Sequence, residues 1–355
     1  MSKILYVVST GSYTGKSAVS LALALGLREK GYNVRYQKPV GASLMRFGDQ
    51  FIDEDAYVAW STLGIDLPWD LSSPVLLTEA TRNLPLSGPV EGLLDKIAAS
   101  LEIVRKGQEL VIMEGLARTF DGISLGLSAP EIAEKINASV LAVIGYRRDL
   151  DPDSIMISKR LFKDRLVGVV VNGVPSRLLD TVQEELQPYC ERISVPLIGV
   201  FPRDRVLRSI TVGELAEELG GEVLCAEDKL DELVETVALG AMTGDAALRF
   251  FQGKSNKAVI TGGDRSDVIL AALRTSTKCL ILTGNLRPAV RVLSAAADRC
   301  VPVILVKTDT LTTTELVDRA VGHVRLSSPK QIARLKATIS DYRQMIDGIE
   351  AILEL

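Results

Sequence analysis

The most informative segment of the chain is residues 9–17, which read Ser9-Thr10-Gly11-Ser12-Tyr13-Thr14-Gly15-Lys16-Ser17. It lies between a strand-like apolar run, 4–9, and a pattern of helical spacing over 17–30 that stops at Gly31. In such a position the backbone N–H groups of a tight glycine-containing turn converge with the positive end of the helix dipole. The segment therefore predicts an anion cradle at the start of the first helix.

The last residues of the segment predict a nucleotide bound together with magnesium. In a P-loop the lysine brings a positive charge to the β- and γ-phosphates and the next hydroxyl ligates Mg²⁺, and Lys16 and Ser17 stand at these positions. The spacing departs from the standard motif, because Thr10 rather than a glycine stands five residues before Gly15. The alternative interpretation is a small-residue turn that carries a surface lysine.

Two acidic positions are candidates for the metal side of this site. Glu114 ends the apolar run 110–113, which places a carboxylate at the carboxyl edge of a buried strand, where such sheets bind ligands. Asp55 belongs to the acidic run 53–55. Since Mg²⁺ takes one or two carboxylates beside phosphate oxygens and water, we expect Glu114 and Asp55 near one Mg²⁺. A capped strand end and a solvated loop are the alternatives.

A further lysine follows the second predicted strand. Lys38 precedes Pro39, and its ammonium would point into the same crevice at the sheet edge. A surface lysine fixed by a neighbouring proline explains the pattern equally well.

The first two hundred residues alternate short β-branched runs with helical patterns, which predicts an α/β fold with a parallel sheet and helices on both faces. Strands are predicted over 4–9, 34–37, 110–114, 140–145, 166–172 and 197–200, and helices over 17–30, 90–105 and 154–162. Segment 47–89 is punctuated by prolines and is predicted to be a long irregular loop, a feature that is often functional.

After residue 203 the alternation restarts with new proportions, which predicts a second, smaller α/β domain. Strands are predicted over 221–225, 258–261, 279–283 and 303–306, and helices over 211–219, 230–238, 265–274, 288–298 and 312–320. Apolar residues spaced by three or four over 329–353 predict a C-terminal helix. The predicted divisions are 1–203, 204–326 and 327–355.

Composition excludes several classes of function. The 355 residues include 41 Lys and Arg against 45 Asp and Glu, giving a formal net charge of −4. A pI near 5.4 without a clustered basic stretch argues against nucleic-acid binding. The apolar runs are too short or too interrupted to span a membrane, and no secretory leader is evident. We therefore expect a cytoplasmic protein with no membrane partner.

The cysteines and the histidine restrict the chemistry further. Four mutually remote cysteines and one histidine make a structural zinc site improbable and leave little room for a histidine-activated nucleophile. Lone cysteines in apolar runs are usually small core residues, which is the prediction for all four. These residues are Cys190, Cys225, Cys279, Cys300 and His323.

Five motifs give the chain a family resemblance. They are residues 11–17, Lys38-Pro39, Glu54-Asp55-Ala56, Glu114-Gly115 and residues 168–173. In this order they resemble dethiobiotin synthetase and the cobyrinic acid amide synthetases, and more closely the dethiobiotin-synthetase-like N-terminal portion of long phosphate acetyltransferases. The second domain resembles a DRTGG domain through 260–265 and 282–285. The acetyltransferase domain itself has no counterpart in these 355 residues, so we expect no acetyltransferase activity from this chain alone.

The resemblance implies a role for each matching residue. Lys16 and Ser17 would hold the triphosphate and Mg²⁺, Asp55 and Glu114 would be the metal-side carboxylates, and Asn172 would lie near the adenine base. The implied nucleotide-binding set is Thr10, Gly11, Ser12, Tyr13, Thr14, Gly15, Lys16, Ser17 and Asn172. Lys16 and Lys38 are the implied catalytic residues, because the counterpart of Lys38 in dethiobiotin synthetase handles the carbamate formed from substrate amine and CO₂.

Two loop positions depart from these relatives. Ser9 stands where dethiobiotin synthetase has the first loop glycine, and Gly11 stands where ParA/MinD-type ATPases carry a second lysine. The loop therefore resembles the phosphate acetyltransferase type more closely.

Two functions are consistent with these features. The first is a regulatory or sensory protein that binds ATP with Mg²⁺ and whose second domain contacts a partner, a small effector or a second copy in a dimer. The alternative is an ATP-dependent ligase that phosphorylates a carboxylate or carbamate before an amine attacks. Both stabilise a transferring phosphoryl group, but only a ligase needs a second pocket for a specific acid, whereas a sensor needs only slow hydrolysis.

Two loops of the second domain are a candidate regulatory edge. Each follows an apolar strand and precedes a helix, so they should emerge side by side with backbone N–H groups free to meet an anion or a partner. The alternative is turn chemistry with a helix cap, in which Asp264 caps the helix and Arg265 is solvated. The residues of this edge are Gly262, Gly263, Asp264, Arg265, Thr283, Gly284 and Asn285.

Overall fold

The computed structural model describes residues 2–146, 149–322 and 326–355. The chain divides into two compact units. Unit 1 contains residues 1–204 together with 329–355, and unit 2 contains residues 205–328. His323, the single histidine of the sequence, lies outside the described residues.

Strands and helices are interspersed through both units. The strands are β1 (Lys3–Val8), β2 (Val34–Gln37), β3 (Val40–Gly41), β4 (Leu44–Phe47), β5 (Gln50–Asp53), β6 (Val75–Leu76), β7 (Leu110–Glu114), β8 (Ser139–Gly145), β9 (Leu166–Val174), β10 (Leu197–Pro202), β11 (Ile210–Thr211), β12 (Glu222–Cys225), β13 (Leu233–Val234), β14 (Thr236–Leu239), β15 (Lys257–Gly262), β16 (Thr277–Thr283) and β17 (Val303–Leu305). The α-helices are α1 (Lys16–Glu29), α2 (Glu54–Leu63), α3 (Glu79–Ser87), α4 (Leu93–Val104), α5 (Ala129–Lys135), α6 (Pro152–Phe162), α7 (Leu179–Arg192), α8 (Val212–Glu218), α9 (Gly244–Gln252), α10 (Ser266–Leu273), α11 (Val290–Ala297), α12 (Thr310–Gly322), α13 (Pro329–Ala337) and α14 (Arg343–Leu353).

Unit 1 is built on a six-stranded parallel sheet with the order β10-β9-β8-β1-β7-β2. Side chains alternate across a strand, so Ile4, Tyr6 and Val8 of β1 join the core shared with α4, α5, α6 and α7. Leu5 and Val7 are equally buried on the opposite face, where α1 packs against β1, β2 and β7. The predicted α/β class with helices on both faces of a parallel sheet is therefore confirmed.

Segment 47–89 is more ordered than predicted. It contains the end of the β4–β5 hairpin, then α2, β6 and α3, and Pro85 lies inside α3. Asp53 caps α2 by accepting a hydrogen bond from the Ala56 N–H, and Trp60 on the same helix is fully buried. The proline count that predicted an irregular loop was misleading because it takes no account of this cap and this buried indole.

The C-terminal segment is part of unit 1. Its helical pattern is interrupted by a 3₁₀ turn at Ile339–Tyr342, so the single helix predicted over 329–353 is instead α13 and α14. α14 packs on α1, where a Cβ at Gly26 would lie 2.2 Å from the Ile346 Cδ1 atom. The close approach of these helices depends on the missing side chain of Gly26.

Unit 2 contains a five-stranded sheet with the order β12-β17-β16-β15-β14. Its strands are parallel except for β12, which is an antiparallel edge strand. The helix predicted over 230–238 is wrong, because this segment forms β13 and β14. Leu230, Leu233 and Val237 are spaced as on one face of a helix, but pairing of β14 with β15 makes this part of the segment extended. The helix α9 was not predicted.

The cysteines differ in exposure. Cys190 and Cys279 are buried, as predicted for core residues, and Cys225 is half-buried. Cys300 is exposed and has a positive φ of 53°, so the core prediction is wrong for this residue, which lies in the turn after α11.

None of the described helices combines the length and the apolar character needed to cross a bilayer.

Candidate functional site

Residues 9–15 connect β1 to α1, and Lys16 and Ser17 are the first two residues of α1. Gly15 precedes it in a left-handed conformation with φ of 88°, which favours glycine. A Cβ at Gly15 would also lie 2.1 Å from the Asn172 Nδ2 atom, and this amide donates to the Thr14 carbonyl at 2.9 Å. Asn172, which lies on β9, is therefore in direct contact with the loop backbone, while its contact with an adenine base stays a prediction.

Hydroxyl groups hold the first half of the loop. The Ser9 Oγ accepts from the Gly11 N–H at 3.2 Å, and the Thr10 hydroxyl donates to the Ser154 Oγ at 2.7 Å. The Thr14 hydroxyl is different, because it is buried with no hydrogen-bond partner in the described part of the chain. A buried hydroxyl without a partner is costly, so Thr14 has unused hydrogen-bonding capacity in the middle of the cradle.

Lys16 and Ser17 both contact the C-terminal end of β7 or the loop after it. The Lys16 ammonium is buried and donates to the Ala117 carbonyl at 3.0 Å, and burial lowers its pKa. The Ser17 hydroxyl donates to the Glu114 Oε1 at 2.7 Å. Two predicted phosphate and metal residues on α1 are thus brought together with the predicted carboxylate at the end of β7.

The Glu114 carboxylate is buried within the sheet edge. Its second oxygen, Oε2, accepts from the Tyr36 hydroxyl at 2.8 Å. Burial, followed by the negative charge of Asp55, raises the pKa of Glu114. A nearby cation would stabilise the charged form of such a carboxylate, because its positive charge offsets both the cost of burial and the repulsion from Asp55.

Lys38 is the centre of a buried ion cluster. Its ammonium lies 3.1 Å from the Asp53 Oδ1 and is also hydrogen-bonded to the Asp55 carboxylate. Burial acts to lower the pKa of Lys38, but Asp55, Asp53 and Glu114 outweigh burial and the pKa is raised. The surface alternatives for Lys38 and Asp55 are therefore wrong: Lys38 is buried, and Asp55 lies in the first turn of α2 rather than in a loop.

The donor set at this edge suits magnesium better than a metal held by protein alone. Among the described residues, no group of three or more His, Cys, Asp or Glu side chains converges on a metal position. The Ser17 hydroxyl and the Glu114 carboxylate are adjacent hard oxygen ligands. Mg²⁺ commonly binds through one or two carboxylates, with phosphate oxygens and water completing its shell.

Sequence reasoning missed three neighbours of the cradle. Tyr36 holds Glu114, Thr119 donates from its hydroxyl to the Ser9 carbonyl at 2.9 Å, and the Arg118 Nε lies 3.2 Å from the Ser12 Oγ. The signal that could have found Arg118 and Thr119 is their position directly after the Glu114 strand, at the same carboxyl edge.

The candidate regulatory edge of unit 2 is brought together by strand register. Gly262 pairs with Thr283, so the loops that follow β15 and β16 leave the same end of the sheet. A Cβ at Gly263 would lie only 1.6 Å from the Leu286 carbonyl oxygen, which shows how closely the loops approach each other. The Thr283 hydroxyl is hydrogen-bonded to that of Thr310.

Several polar groups of this edge are already used within unit 2. The Gly284 and Asn285 N–H groups donate to the Thr308 and Val306 carbonyls at 2.8 Å, so the expectation that they are free to meet an anion is wrong. Asp264 makes no side-chain cap on α10, and the Arg265 guanidinium donates to the Met242 carbonyl at 2.7 Å. The predicted helix-cap alternative is therefore wrong as well.

Comparison with known proteins places two domain types along the chain. Residues 3–211 match the family model described as the AAA domain, and residues 214–320 match that of the DRTGG domain. The phosphate acetyltransferase of Synechocystis sp. is 25% identical over 98% of this chain and 51% of its own length. That of Nitratidesulfovibrio vulgaris is 27% identical over 99% of this chain and 51% of its own length. The resemblance drawn from the sequence motifs is confirmed.

The chain spans about half the length of these curated relatives. Among solved structures, the MinC:MinD cell division protein complex of Aquifex aeolicus overlaps 58% of this chain and 83% of its own, with 15% identity and a TM-score of 0.37.

Proposed function

The chain belongs to the AAA domain family through residues 3–211, and on that premise we propose that unit 1 binds ATP with Mg²⁺ in a regulatory or sensory role. The observation that carries this proposal is the meeting of Lys16, Ser17 and Glu114 at the carboxyl edge of the parallel sheet. This is the edge at which such sheets bind their ligands, and the residue types are those of a phosphate and magnesium site.

Features of the cradle fit a nucleotide phosphate. The unpartnered Thr14 hydroxyl offers a donor, and the left-handed Gly15 lets the backbone turn closely in front of α1. Lys16 would exchange its Ala117 carbonyl contact for phosphate oxygens, and Ser17 and Glu114 would hold Mg²⁺ directly or through water. When bound, Mg²⁺ would neutralise phosphate charge and so lower the cost of the buried Glu114 carboxylate.

The state of Lys38 supports the regulatory role over the ligase alternative. A ligase of the resembled type would use this amine on the substrate carbamate. Here the Lys38 ammonium is buried and paired with the Asp53 and Asp55 carboxylates. Moving it to a substrate would take the cation away from two carboxylates, Asp53 and Asp55, which is unfavourable in a buried cluster.

Unit 2 is proposed to supply the contact surface of the regulatory role, including that of a homodimer. Three large apolar side chains near the loops of the regulatory edge are exposed, namely Leu286 at 47%, Val290 at 82% and Leu311 at 70%. Exposed large apolar side chains favour a protein partner, whereas the occupied loop N–H groups argue against an anion.

Calorimetric titration of ATP with Mg²⁺ tests the nucleotide proposal. A charge-assisted hydrogen bond contributes roughly 1.5 to 3 kcal/mol, so Lys16→Ala should weaken ATP binding by about tenfold to a hundredfold. Lys96→Ala, which removes an exposed lysine on α4, is the matched control and should bind ATP as the wild type does. Equal affinity of the wild type and Lys16→Ala would contradict the proposal.

Sedimentation of the wild type and Leu286→Asp tests the proposed surface of unit 2. We expect the wild type to sediment as a dimer and the variant as a monomer with unchanged ATP affinity. An unchanged sedimentation coefficient in the variant would contradict a dimer contact at this surface.

A further inference from the structure

We infer that Arg118 is a second phosphate-binding cation of the cradle, directed to the terminal phosphates of a bound nucleotide. The inference rests on the proposed ATP binding of unit 1 and adds a residue that lies outside the loop motif. Arg118 lies in the loop that follows β7, outside residues 9–17.

Two contacts hold the Arg118 loop against the cradle, and a third fixes the loop internally. On one side of Arg118, the Ala117 carbonyl accepts from the Lys16 ammonium at 3.0 Å. On the other side, the Thr119 hydroxyl donates to the Ser9 carbonyl at 2.9 Å. The Arg118 N–H itself donates to the Asp121 carboxylate at 2.9 Å. The backbone at Arg118 is therefore fixed at both neighbours and at its own amide.

The guanidinium of Arg118 reaches the phosphate-binding turn from this position. Its Nε lies 3.2 Å from the Ser12 Oγ, in the middle of the cradle. The side chain is exposed, and its two terminal amino groups meet no acceptor within the described ranges. A guanidinium with two free amino groups can bind phosphate oxygens in a bidentate fashion, which suits a polyphosphate better than the neutral hydroxyl it now contacts.

The contact of Lys16 indicates which phosphates Arg118 would bind. A P-loop lysine serves the β- and γ-phosphates, whereas the loop backbone holds the α- and β-phosphates. The Lys16 ammonium contacts the Ala117 carbonyl, directly before Arg118, so the Arg118 loop meets the cradle on the side of this lysine and the assignment is to the β/γ end. Removal of Arg118 should therefore cost more affinity for ATP than for ADP.

Calorimetry with Mg·ATP and Mg·ADP on the whole chain tests this assignment. Arg118→Ala should weaken ATP binding by about tenfold and ADP binding by less than about threefold, which corresponds to one lost charged contact at the terminal phosphate. Arg118→Lys keeps the charge without the planar fork and should fall between the wild type and Arg118→Ala. Arg105→Ala is the matched control, because Arg105 donates to the Ser2 carbonyl at the opposite end of β1 and should change neither affinity.

The outcomes separate this inference from the proposed function. Unchanged ATP affinity in Arg118→Ala, with loss of binding in Lys16→Ala, would overturn the role of Arg118 and leave the nucleotide site intact. Equal weakening for ATP and ADP would overturn the assignment to the terminal phosphate. If the wild type binds neither nucleotide, the proposed function fails and this inference fails with it. The far-ultraviolet circular dichroism spectrum and the melting temperature of Arg118→Ala should match those of the wild type, because the Arg118 side chain is exposed.

Discussion

Lys38 of unit 1 and Lys257 of unit 2 are both buried lysines beside a sheet, and they differ in partners and in position. Lys38 of unit 1 is paired with the Asp53 and Asp55 carboxylates, and its pKa is raised. Lys257 of unit 2 donates to the Lys254 and Ser276 carbonyls and to the Thr275 hydroxyl, at 2.8 to 3.1 Å. Burial, together with the nearby Lys254 ammonium, lowers the pKa of Lys257 to about 8.

The two lysines lie at opposite ends of their sheets. Lys38 directly follows β2, at the carboxyl edge with Lys16 and Glu114, whereas Lys257 is the first residue of β15, at the amino end. Ligands of parallel sheets bind at the carboxyl edge. Lys38 therefore belongs to a charged cluster at the proposed ligand site, and Lys257 is a structural lysine that joins neighbouring turns through its hydrogen bonds.

The largest expected effect is on the buried ion cluster of unit 1. Lys38→Met leaves two carboxylates without their cation and should lower the free energy of unfolding by about 3 to 5 kcal/mol. Lys257→Met is the matched substitution in unit 2. It leaves only neutral acceptors unpaired and should cost about 1 to 3 kcal/mol. Urea unfolding of both variants measures these costs. A larger decrease in the free energy of unfolding for Lys257→Met than for Lys38→Met would contradict the comparison.

The second effect concerns the carboxylate that faces Ser17. Glu114→Gln keeps the shape and one acceptor but removes the negative charge, so it should weaken Mg²⁺-dependent ATP binding by about tenfold to a hundredfold. Titration of ATP with Mg²⁺ and with EDTA measures this directly. Binding in EDTA should change little, and an equal loss with and without Mg²⁺ would show that Glu114 acts on the fold rather than on the metal.

The third effect is on the turn before α1. Gly15→Ala places a Cβ in a left-handed conformation and against Asn172, and the conformation alone should cost about 1 to 2 kcal/mol of stability. The double variant Gly15→Ala/Asn172→Ala removes the clash but not the backbone strain. In a double-mutant cycle measured by thermal unfolding, the double variant should regain part of the stability that Gly15→Ala loses. If the effects of the two substitutions are strictly additive, the contact between position 15 and Asn172 does not contribute to stability.

The smallest effect is expected in unit 2, away from any proposed ligand. Thr211 and Glu214 form a capping box at the start of α8. Thr211→Ala should lower stability by about 1 kcal/mol and leave ATP affinity unchanged. A change in ATP affinity measured by calorimetry would show that the nucleotide site depends on this helix.

Much of the fold of unit 1 could be predicted from the sequence, because its parallel strands are buried on both faces and appear as short continuous apolar runs. This rule did not identify every strand of unit 2. In segment 230–238 the residues Leu230, Leu233 and Val237 are spaced as on one face of a helix, but β14 pairs with β15 and this part of the segment is extended. The helix α9, which has 9 residues, was not predicted from the sequence.

The candidate site was predictable where residues are adjacent in the chain or end a strand, as with Lys16, Ser17 and Glu114. The ion partners of Lys38 were not, because Asp53 and Asp55 are brought to it by the β4–β5 hairpin and α2, which the proline pattern concealed. The position of an exposed side chain such as Arg118 follows from how its loop folds over the cradle. No local spacing encodes that arrangement.

Hydrogen–deuterium exchange with and without Mg·ATP is the decisive measurement of whether the nucleotide binds at the carboxyl edge of unit 1 rather than at that of unit 2. We expect slower exchange in residues 9–17 and 114–119 on addition of Mg·ATP, and no change at Gly284 and Asn285, whose amides are already hydrogen-bonded within unit 2. Protection confined to residues 261–265 and 283–287, with unchanged exchange in residues 9–17, would contradict a nucleotide site in unit 1.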